Sequence, residues 1–119
     1  MANPNAKGIK RIINALFFSI AGFKATWQHE EAFRQEVLLF VVTAPIALWL
    51  ERTVVEKLLM IGSVVLVLLV ELLNSAVEAV VDRVGFEHHE LSGRAKDIGS
   101  AAVMLSLVWA AVTWAAILI

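Results

Sequence analysis

The sequence predicts an all-α membrane protein, in which an N-terminal amphipathic helix lies on the membrane surface and three further helices cross the membrane. Of its 119 residues, 60% are hydrophobic and four are tryptophan, which exceeds the apolar share of ordinary soluble domains. A soluble domain of this length has too little interior to hide so many apolar side chains, which disfavours the alternative of a soluble all-α bundle. Three apolar segments, at residues 33–50, 55–81 and 98–119, approach the roughly 20 residues that a helix needs to span a bilayer.

The charge balance and the absence of cysteine narrow the classes of function. The formal net charge is −1, so the chain has no overall basic field for binding nucleic acid. It contains no cysteine, which excludes disulfides, thiolate chemistry and cysteine-based metal sites. Polar and charged residues precede the first long apolar run, which begins near Val37, so we expect no cleavable signal peptide. Residues 1–119 are therefore expected to form a single integral-membrane domain.

The first element is a predicted surface helix over about residues 5–28. Its large apolar side chains recur at helical spacing on one side, as expected for a helix whose apolar face enters the membrane interface. These residues are Ile9, Ile12, Ile13, Leu16, Phe17, Ile20 and Trp27. Arg11, Asn14 and Phe18 fall on the opposite face. Phe18 is either a scattered exposed apolar residue or a platform on which a flat ligand such as a nucleobase stacks, and the pattern leaves both interpretations open.

The three predicted spans differ in their polar content. The first, at residues 33–50, is short and contains Pro45, so we expect it to kink or to lie in a thinned region of the bilayer. The second, at residues 55–81, is interrupted by Glu71 and Glu78, whereas the third carries no charge.

The lysines and arginines predict how these spans are oriented. Eight of them precede span one, open it, or lie between spans two and three: Lys7, Lys10, Arg11, Lys24, Arg34, Arg83, Arg94 and Lys96. Only Arg52 and Lys57 lie on the other side. By the positive-inside rule, the N-terminus and the second loop are cytoplasmic, whereas the first loop and the C-terminus face outward.

The second span carries a stripe of polar side chains in the stretch ELLNSAVEAVVD, residues 71–82. At 100° per residue they fall in a narrow sector of one helix face, and they are Glu71, Asn74, Ser75, Glu78 and Asp82. A charge at membrane depth is costly, so this stripe must face protein or a hydrated cleft. Hydrogen bonds that lock the helix bundle account for the asparagine and the serine, but each carboxylate needs a buried cation or a proton. The favoured interpretation is therefore a functional role for the carboxylates.

Two further polar clusters are predicted at the cytoplasmic ends of the spans. Residues 29–36, HEEAFRQE, bring carboxylates and an arginine to the start of span one. Residues 85–97, GFEHHELSGRAKD, form a polar loop that leads into span three, with Ser92 as the expected helix N-cap. Carboxylates that can hold a hard cation thus lie near lysines and arginines that can hold phosphates, a set that suits Mg²⁺ with a nucleotide.

Other interpretations of these clusters are weaker. Two adjacent histidines, His88 and His89, lie on different sides of a helix, so their spacing disfavours a zinc site. A proton pathway should continue across the bilayer, but the line of charges stops at Glu71. Neither of the common glycine-rich loops that cradle phosphates is present.

Three segments closely resemble the signature segments of the prokaryotic diacylglycerol kinases, a family of small integral-membrane lipid kinases. They are EEAFRQE, VELLNSAVEAVVDRVG and HELSGRAKDIGSAAV, and the resemblance runs from about Arg11 through Val103. It implies transfer of the γ-phosphoryl group of ATP to the free hydroxyl of diacylglycerol, which gives phosphatidic acid, with Mg²⁺ as cofactor. It further implies a homotrimer with active sites shared between subunits, in the bacterial cytoplasmic (inner) membrane.

The resemblance also implies roles for individual residues. Glu71 resembles the catalytic base, while Glu30 and Glu78 resemble the metal ligands. The expected ATP contacts are Arg11, Phe18, Glu30, Glu78, Glu87, His88, His89, Lys96 and Asp97. The positions expected to support the substrate or the site are Trp27, Arg34, Glu36, Trp49, Asn74, Asp82 and Ser100. Members of the family often carry tyrosine where this chain has Phe18, so we expect ring stacking there without a contact from a hydroxyl group.

Two alternative activities stay open. Undecaprenol kinases belong to the same family and phosphorylate a polyprenyl alcohol. Diacylglycerol is the favoured substrate because residues 89–103 and the N-terminal helix resemble the diacylglycerol branch. The more remote alternative is a small proton channel or transporter.

Overall fold

Four α-helices make up the computed structural model of the protein, which describes residues 7–85 and 89–119. They are α1 (Gly8–His29), α2 (Glu31–Trp49), α3 (Val54–Val84) and α4 (Glu90–Leu118). The last three are long and apolar enough to cross a membrane, by their length and composition. The predicted class, an all-α membrane protein with three candidate spans, is therefore confirmed.

The helices α3 and α4 extend past the apolar runs recognised in the sequence. α3 ends at Val84 rather than near residue 81, and α4 begins at Glu90, two turns before the predicted start at residue 98. The charged residues at these ends join the helices because backbone hydrogen bonds, not apolar side chains, define a helix. Pro45 lies inside α2 without ending it, and the bend expected there stays a prediction.

The N-cap expected for the last helix is wrong. His89 caps α4, and its Nδ1 accepts a hydrogen bond from the Leu91 N–H at 3.0 Å. Ser92 lies inside the first turn of α4. Both residue types can accept a bond from a free N–H at a helix start, so the sequence alone did not separate these two positions.

A short turn at residues 50–53 joins α2 to α3. Thr53 and Glu56 form a capping box, in which each side chain accepts a hydrogen bond from the backbone N–H of the other residue, both at 3.1 Å. The Lys57 ammonium group donates to the Leu48 carbonyl at 2.7 Å and so satisfies a free carbonyl at the end of α2. Local hydrogen bonds therefore hold this end of the helical hairpin.

The central helix of the protein is α3. It packs against both α2 and α4, which do not contact each other within the described residues. The buried apolar side chains come from all three helices and are Phe33, Ala47, Met60, Val64, Val67 and Ala110. The chain is flat, with principal-axis extents of 48 × 42 × 21 Å. Many large apolar side chains on α2, α3 and α4 stay exposed, which suits contact with lipid or with further copies of the chain.

A hydrogen bond joins α3 and α4 in the half of the pair that lies away from α1. The indole Nε1 of Trp114 on α4 donates to the Met60 carbonyl of α3 at 2.9 Å, and the Ser63 hydroxyl, also on α3, donates to the same carbonyl at 2.7 Å. Ser106 and Ala110 are small and buried on α4, which lets the two helices approach closely.

A break at Glu30 separates α1 from α2. The backbone of Glu30 is extended, with φ −118° and ψ 107°. Arg34 reaches back across this break, and its Nη1 donates to the Trp27 carbonyl at 2.6 Å. A cation here satisfies a free carbonyl and opposes the negative end of the α1 dipole. Arg34 thus fixes where α1 leaves the transmembrane hairpin, which gives this residue a structural task that the sequence pattern did not indicate.

Beyond this junction, α1 has few contacts with the rest of the chain. None of its residues is buried in the described structure. Its apolar side chains, such as Ile9, Ile12 and Phe17, are exposed together. The helix itself is confirmed, and its location in the membrane surface stays a prediction.

Candidate functional site

A cleft of about 630 Å³ opens between the second half of α1 and the end of α3. Its lining from α1 and the α1–α2 junction consists of Ser19, Gly22, Phe23, Ala25, Thr26, His29 and Glu30. Its lining from α3 consists of Leu72, Ser75, Ala76, Glu78, Ala79 and Asp82. A largely apolar lining with a few convergent polar groups is typical of a ligand site.

The polar stripe of α3 runs from this cleft into the interior. Glu71 is only 4% exposed, whereas Glu78 and Asp82 are half-buried and line the cleft. Spacings of seven and four residues put the three carboxylates on one face of the helix. At 1.5 Å per residue, Glu71 lies about 10 Å along the helix axis from Glu78. The stripe therefore joins one enclosed carboxylate to two that face an open cleft.

Glu30 approaches the stripe from the opposite wall. Burial raises the pKa of the Glu30 carboxyl above its ordinary value, and the negative charges of Glu78 and Asp82 raise this pKa further, while His29 lowers it. Glu71 likewise has Glu30 and Glu78 as charged neighbours. Four carboxylates thus converge on one region, and a concentration of carboxylate oxygens favours a hard cation.

Asn74 lies one turn before Glu78 and contacts it. The Asn74 Nδ2 donates to Glu78 Oε1 at 3.4 Å, which is a long hydrogen bond. The Asn74 Oδ1 and the neighbouring Ser75 hydroxyl are buried, and neither has a hydrogen-bond partner among residues 7–85 and 89–119. Buried polar atoms usually have partners, so the unpaired Ser75 hydroxyl, which lines the cleft, indicates a place where a further group binds.

The start of α4 contributes a cation to the stripe. Lys96 Nζ lies 2.8 Å from Asp82 Oδ1, and this ion pair joins α4 to the end of α3. Asp97 and Ser100 are exposed on the same helix. Asp97 follows Lys96 directly and therefore points about 100° away around α4. The structure of one chain brings Lys96 to the stripe and leaves Asp97 turned away from it.

Glu36 on α2 is a second enclosed carboxylate. It is 8% exposed, and its Oε2 has no hydrogen-bond partner in the described part of the chain. Its charged neighbour is Glu71, which faces it from α3. The two most enclosed glutamates of the described chain therefore lie near each other, on packed helices.

Several predicted site residues lie outside the lining of the cleft. Arg11 and Phe18 are exposed on α1, near the side that carries the lining residues, and Trp27 lies on a different side of the same helix. Trp49 is 83% exposed at the far end of α2, about 28 Å along that helix from Glu30. Trp49 is therefore separated from the cleft by the length of a transmembrane helix.

Three more predicted contacts fall in the loop before α4. Glu87 and His88 lie outside the described residues. His89 is the N-cap of α4, where its Nδ1 already accepts the bond from the Leu91 N–H.

Sequence reasoning missed the wall of the cleft that α1 supplies. Ser19, Phe23, Thr26 and Glu30 recur at spacings of three or four residues, so they share one side of α1. Most of these side chains are small or uncharged, and they fall between the apolar and the polar faces recognised in the sequence. Counting back from Glu30 at helical spacing would have found them.

Among the residues that the structure describes, no group of three or more His, Cys, Asp or Glu side chains is arranged to hold a metal ion by itself. Mg²⁺ usually binds one or two carboxylates and takes its remaining ligands from phosphates and water. Glu30 and Glu78, on opposite walls of the cleft, fit that pattern.

Comparison with known proteins identifies the family. A family model described as prokaryotic diacylglycerol kinase matches residues 17–118. The chain is 52% identical over 118 residues to a protein named diacylglycerol kinase from Escherichia coli (strain K12), a match that covers 99% of this chain and 96% of that protein. It is 54% identical over 112 residues to the Pseudomonas aeruginosa protein of the same name, with 94% and 91% covered. For the Helicobacter pylori (strain 26695) protein of that name, the identity is 41% over 111 residues, with 93% and 87% covered. This chain therefore belongs to the prokaryotic diacylglycerol kinase family.

Proposed function

We propose that this protein transfers the γ-phosphoryl group of ATP to the hydroxyl group of diacylglycerol within the membrane, with Glu71 as the general base. The protein is a lipid kinase, because relatives that match nearly its whole length are named diacylglycerol kinases. The observation that carries the detailed proposal is the stripe of α3, which runs from the buried Glu71 to the carboxylates of an open cleft. Along one helix face, the stripe offers a buried proton acceptor, Glu71, and a nucleotide site at the carboxylates that line the open cleft.

Glu71 is suited to accept the proton of the lipid hydroxyl. It is enclosed, and it lies on a helix that is able to cross the membrane. The hydroxyl of diacylglycerol lies just below the headgroups, so a base at the hydrocarbon edge reaches it while the acyl chains stay in the membrane. As the hydroxyl oxygen bonds to the γ-phosphorus, Glu71 takes the proton and the bond from phosphorus to the leaving ADP oxygen breaks.

Glu30 and Glu78 are the residues that would hold Mg²⁺. They come from different elements, and both line the cleft. Their mutual repulsion, part of what raises the pKa of the Glu30 carboxyl, supports this fit, because two carboxylates that repel each other gain from a shared cation. When bound, Mg²⁺ would offset the negative charge of the phosphates.

Residues around the cleft are proposed to bind the nucleotide. The ion pair with Asp82 holds Lys96 at the end of α3, where it can offset charge on the transferred group. Arg11 is proposed to bind phosphate oxygens, and the ring of Phe18 is proposed to stack on the adenine. Residues 87–89 and Asp97 complete the proposed ATP contacts.

We further propose a homotrimer in which neighbouring copies complete each site, with the N-terminus in the cytoplasm. The flat shape of one chain and its exposed apolar side chains support assembly, because further copies would cover part of that surface. The outward direction of Asp97 supports a site shared between copies. Eight of the ten lysines and arginines on one side of the predicted spans support the orientation.

Phosphorylation assays on the detergent-purified protein test this function. With Mg-ATP and diacylglycerol in mixed micelles, we expect phosphatidic acid, and we expect almost none from the Glu71→Gln variant. Parallel micelles contain undecaprenol in place of diacylglycerol. A polyprenyl phosphate without phosphatidic acid would assign the protein to the undecaprenol branch, and no ATP turnover with either lipid would favour a channel or transporter.

A further inference from the structure

Gly99 of α4 lies directly against the Asn74 side chain of α3. A Cβ added at position 99 would overlap the Asn74 Oδ1 and would lie 3.0 Å from the Asn74 Cγ. The glycines Gly62 on α3 and Gly93 on α4 have open space at the same point, with no heavy atom within 4 Å. The absence of a side chain at position 99 therefore makes room for Asn74, a residue of the polar stripe.

The orientation of Asn74 explains why this room matters. A carboxylate only accepts hydrogen bonds, so the amide must turn its NH₂ group toward Glu78, as it does at 3.4 Å. Its oxygen then points the other way, into the space left by Gly99. That oxygen is buried and unpaired within the described chain. A methyl group at position 99 can therefore be accommodated only if α4 moves away or if the amide turns away from Glu78.

We propose that Gly99 is a positioning residue for the carboxylate of Glu78, since it makes room for the Asn74 amide that orients this carboxylate. The inference rests on the proposed function, in which Glu78 holds Mg²⁺. Residues that orient a metal ligand typically change metal affinity by 10–100-fold when they are replaced. In this arrangement α4 positions the stripe at two points. Lys96 forms an ion pair with Asp82, and Gly99 leaves room for the Asn74 side chain.

Gly99→Ala tests the proposal, with Gly93→Ala as the matched control on the same helix. Both changes replace a helical glycine with a better helix former, but only the first adds an atom against Asn74. The readout is the binding of Mn²⁺, as a paramagnetic substitute for Mg²⁺, to the full-length protein with a non-hydrolysable ATP analogue, followed by electron paramagnetic resonance. We expect the Mn²⁺ Kd to rise about tenfold in Gly99→Ala and to change less than about twofold in Gly93→Ala. An unchanged Kd in Gly99→Ala would overturn the proposal.

The same measurement in an Asn74→Ala background shows whether Gly99 acts through the amide. Asn74→Ala removes both the amide and the overlap, so we expect it to weaken Mn²⁺ binding by itself. Gly99→Ala should then add less than about a twofold further change, because nothing is left to displace. Equal effects of Gly99→Ala in the two backgrounds would contradict the proposal. If Gly99→Ala alone does not fold, folding restored in the double variant supports the proposal, and a double variant that stays unfolded overturns it.

Glu78→Gln separates this inference from the proposed function. If Glu78→Gln leaves Mn²⁺ binding unchanged, the metal role of Glu78 fails and the inference fails with it. If Glu78→Gln weakens binding while Gly99→Ala does not, the metal role stands and only the role of Gly99 is overturned.

Discussion

The two ends of the α3–α4 pair use polar groups in opposite ways. Away from the cleft, the Trp114 indole of α4 donates to the Met60 carbonyl of α3 and so joins the two helices, while the Ser63 hydroxyl donates to the same carbonyl from within α3. Beside the cleft, the Asn74 Oδ1 is buried without a partner in the described chain, and carboxylates of like charge converge. Thr113 is an exception at the far end, since its buried hydroxyl also has no partner among the described residues.

This difference indicates that the far end of the α3–α4 pair serves stability and that the end beside the cleft serves ligand binding. Hydrogen bonds that are satisfied between helices hold a membrane bundle together. Like charges at the cleft and the Ser75 hydroxyl, which is unpaired within the described residues, cost stability, so their presence at one end points to a ligand that satisfies them. Changes at the cleft end should therefore alter catalysis or ligand binding, and changes at the far end should alter stability.

The largest expected effect is that of Glu71→Gln. The glutamine keeps the size of the side chain and removes its ability to accept a proton. We expect kcat for phosphatidic acid formation to fall by roughly 10²–10⁴-fold, while the melting temperature stays close to that of the unchanged protein. Ser63→Ala at the far end is the comparison, and it should keep most of the activity. Near-normal turnover in Glu71→Gln would show that another group takes the proton.

The proposed metal ligands come next. Glu30→Ala and Glu78→Ala each remove a hard oxygen donor, so the Mg²⁺ concentration for half-maximal activity should rise by at least about tenfold. Glu51→Ala serves as the control, because Glu51 is exposed in the turn that follows α2, at the end away from the cleft. An unchanged Mg²⁺ dependence in both cleft variants would mean that the two glutamates are structural.

A smaller effect is expected on the affinity for ATP. Arg11→Ala should raise the ATP KM by about tenfold, since hydrogen bonds to charged groups contribute roughly 1.5–3 kcal/mol. Phe18→Ala should raise the KM about fivefold or more through lost stacking, and Phe18→Tyr should be tolerated. Ile13→Ala, on the apolar face of α1, should leave the KM nearly unchanged and weaken membrane seating. If Phe18→Ala matched Ile13→Ala in an ATP titration, Phe18 would be packing against lipid or protein instead.

The smallest expected effect lies at the far end, in Trp114→Phe. Phenylalanine keeps an aromatic ring but cannot donate to the Met60 carbonyl. Interhelical hydrogen bonds in membrane proteins contribute about 0.6 kcal/mol on average and up to roughly 1.7 kcal/mol. Unfolding in mixed micelles should show a loss of that size with kcat unchanged. A large fall in kcat at constant stability would break the proposed division between the two ends.

Patterns within one helix were enough to predict the fold class and the face of α3 that lines the candidate site. Composition and the three apolar runs indicated the fold class, and the helical period placed Glu71, Glu78 and Asp82 on one face of α3. Helix ends were predicted less well, because charged residues such as Glu90 and Lys96 belong to α4 although they lie outside its apolar run. The run of apolar residues predicts which part of a helix contacts lipid. Backbone hydrogen bonds determine at which residue the helix begins.

The sequence by itself determined which residues share a helix face, since that depends only on the 3.6-residue period. Only the tertiary structure decided which faces meet. It placed Glu30 across the cleft from Glu78 and paired Lys96 with Asp82. It also distinguished two glycines of α4, because Gly99 lies against Asn74 whereas Gly93 has open space around it. Contacts between helices depend on how all of them pack together, and no spacing along one helix contains that information.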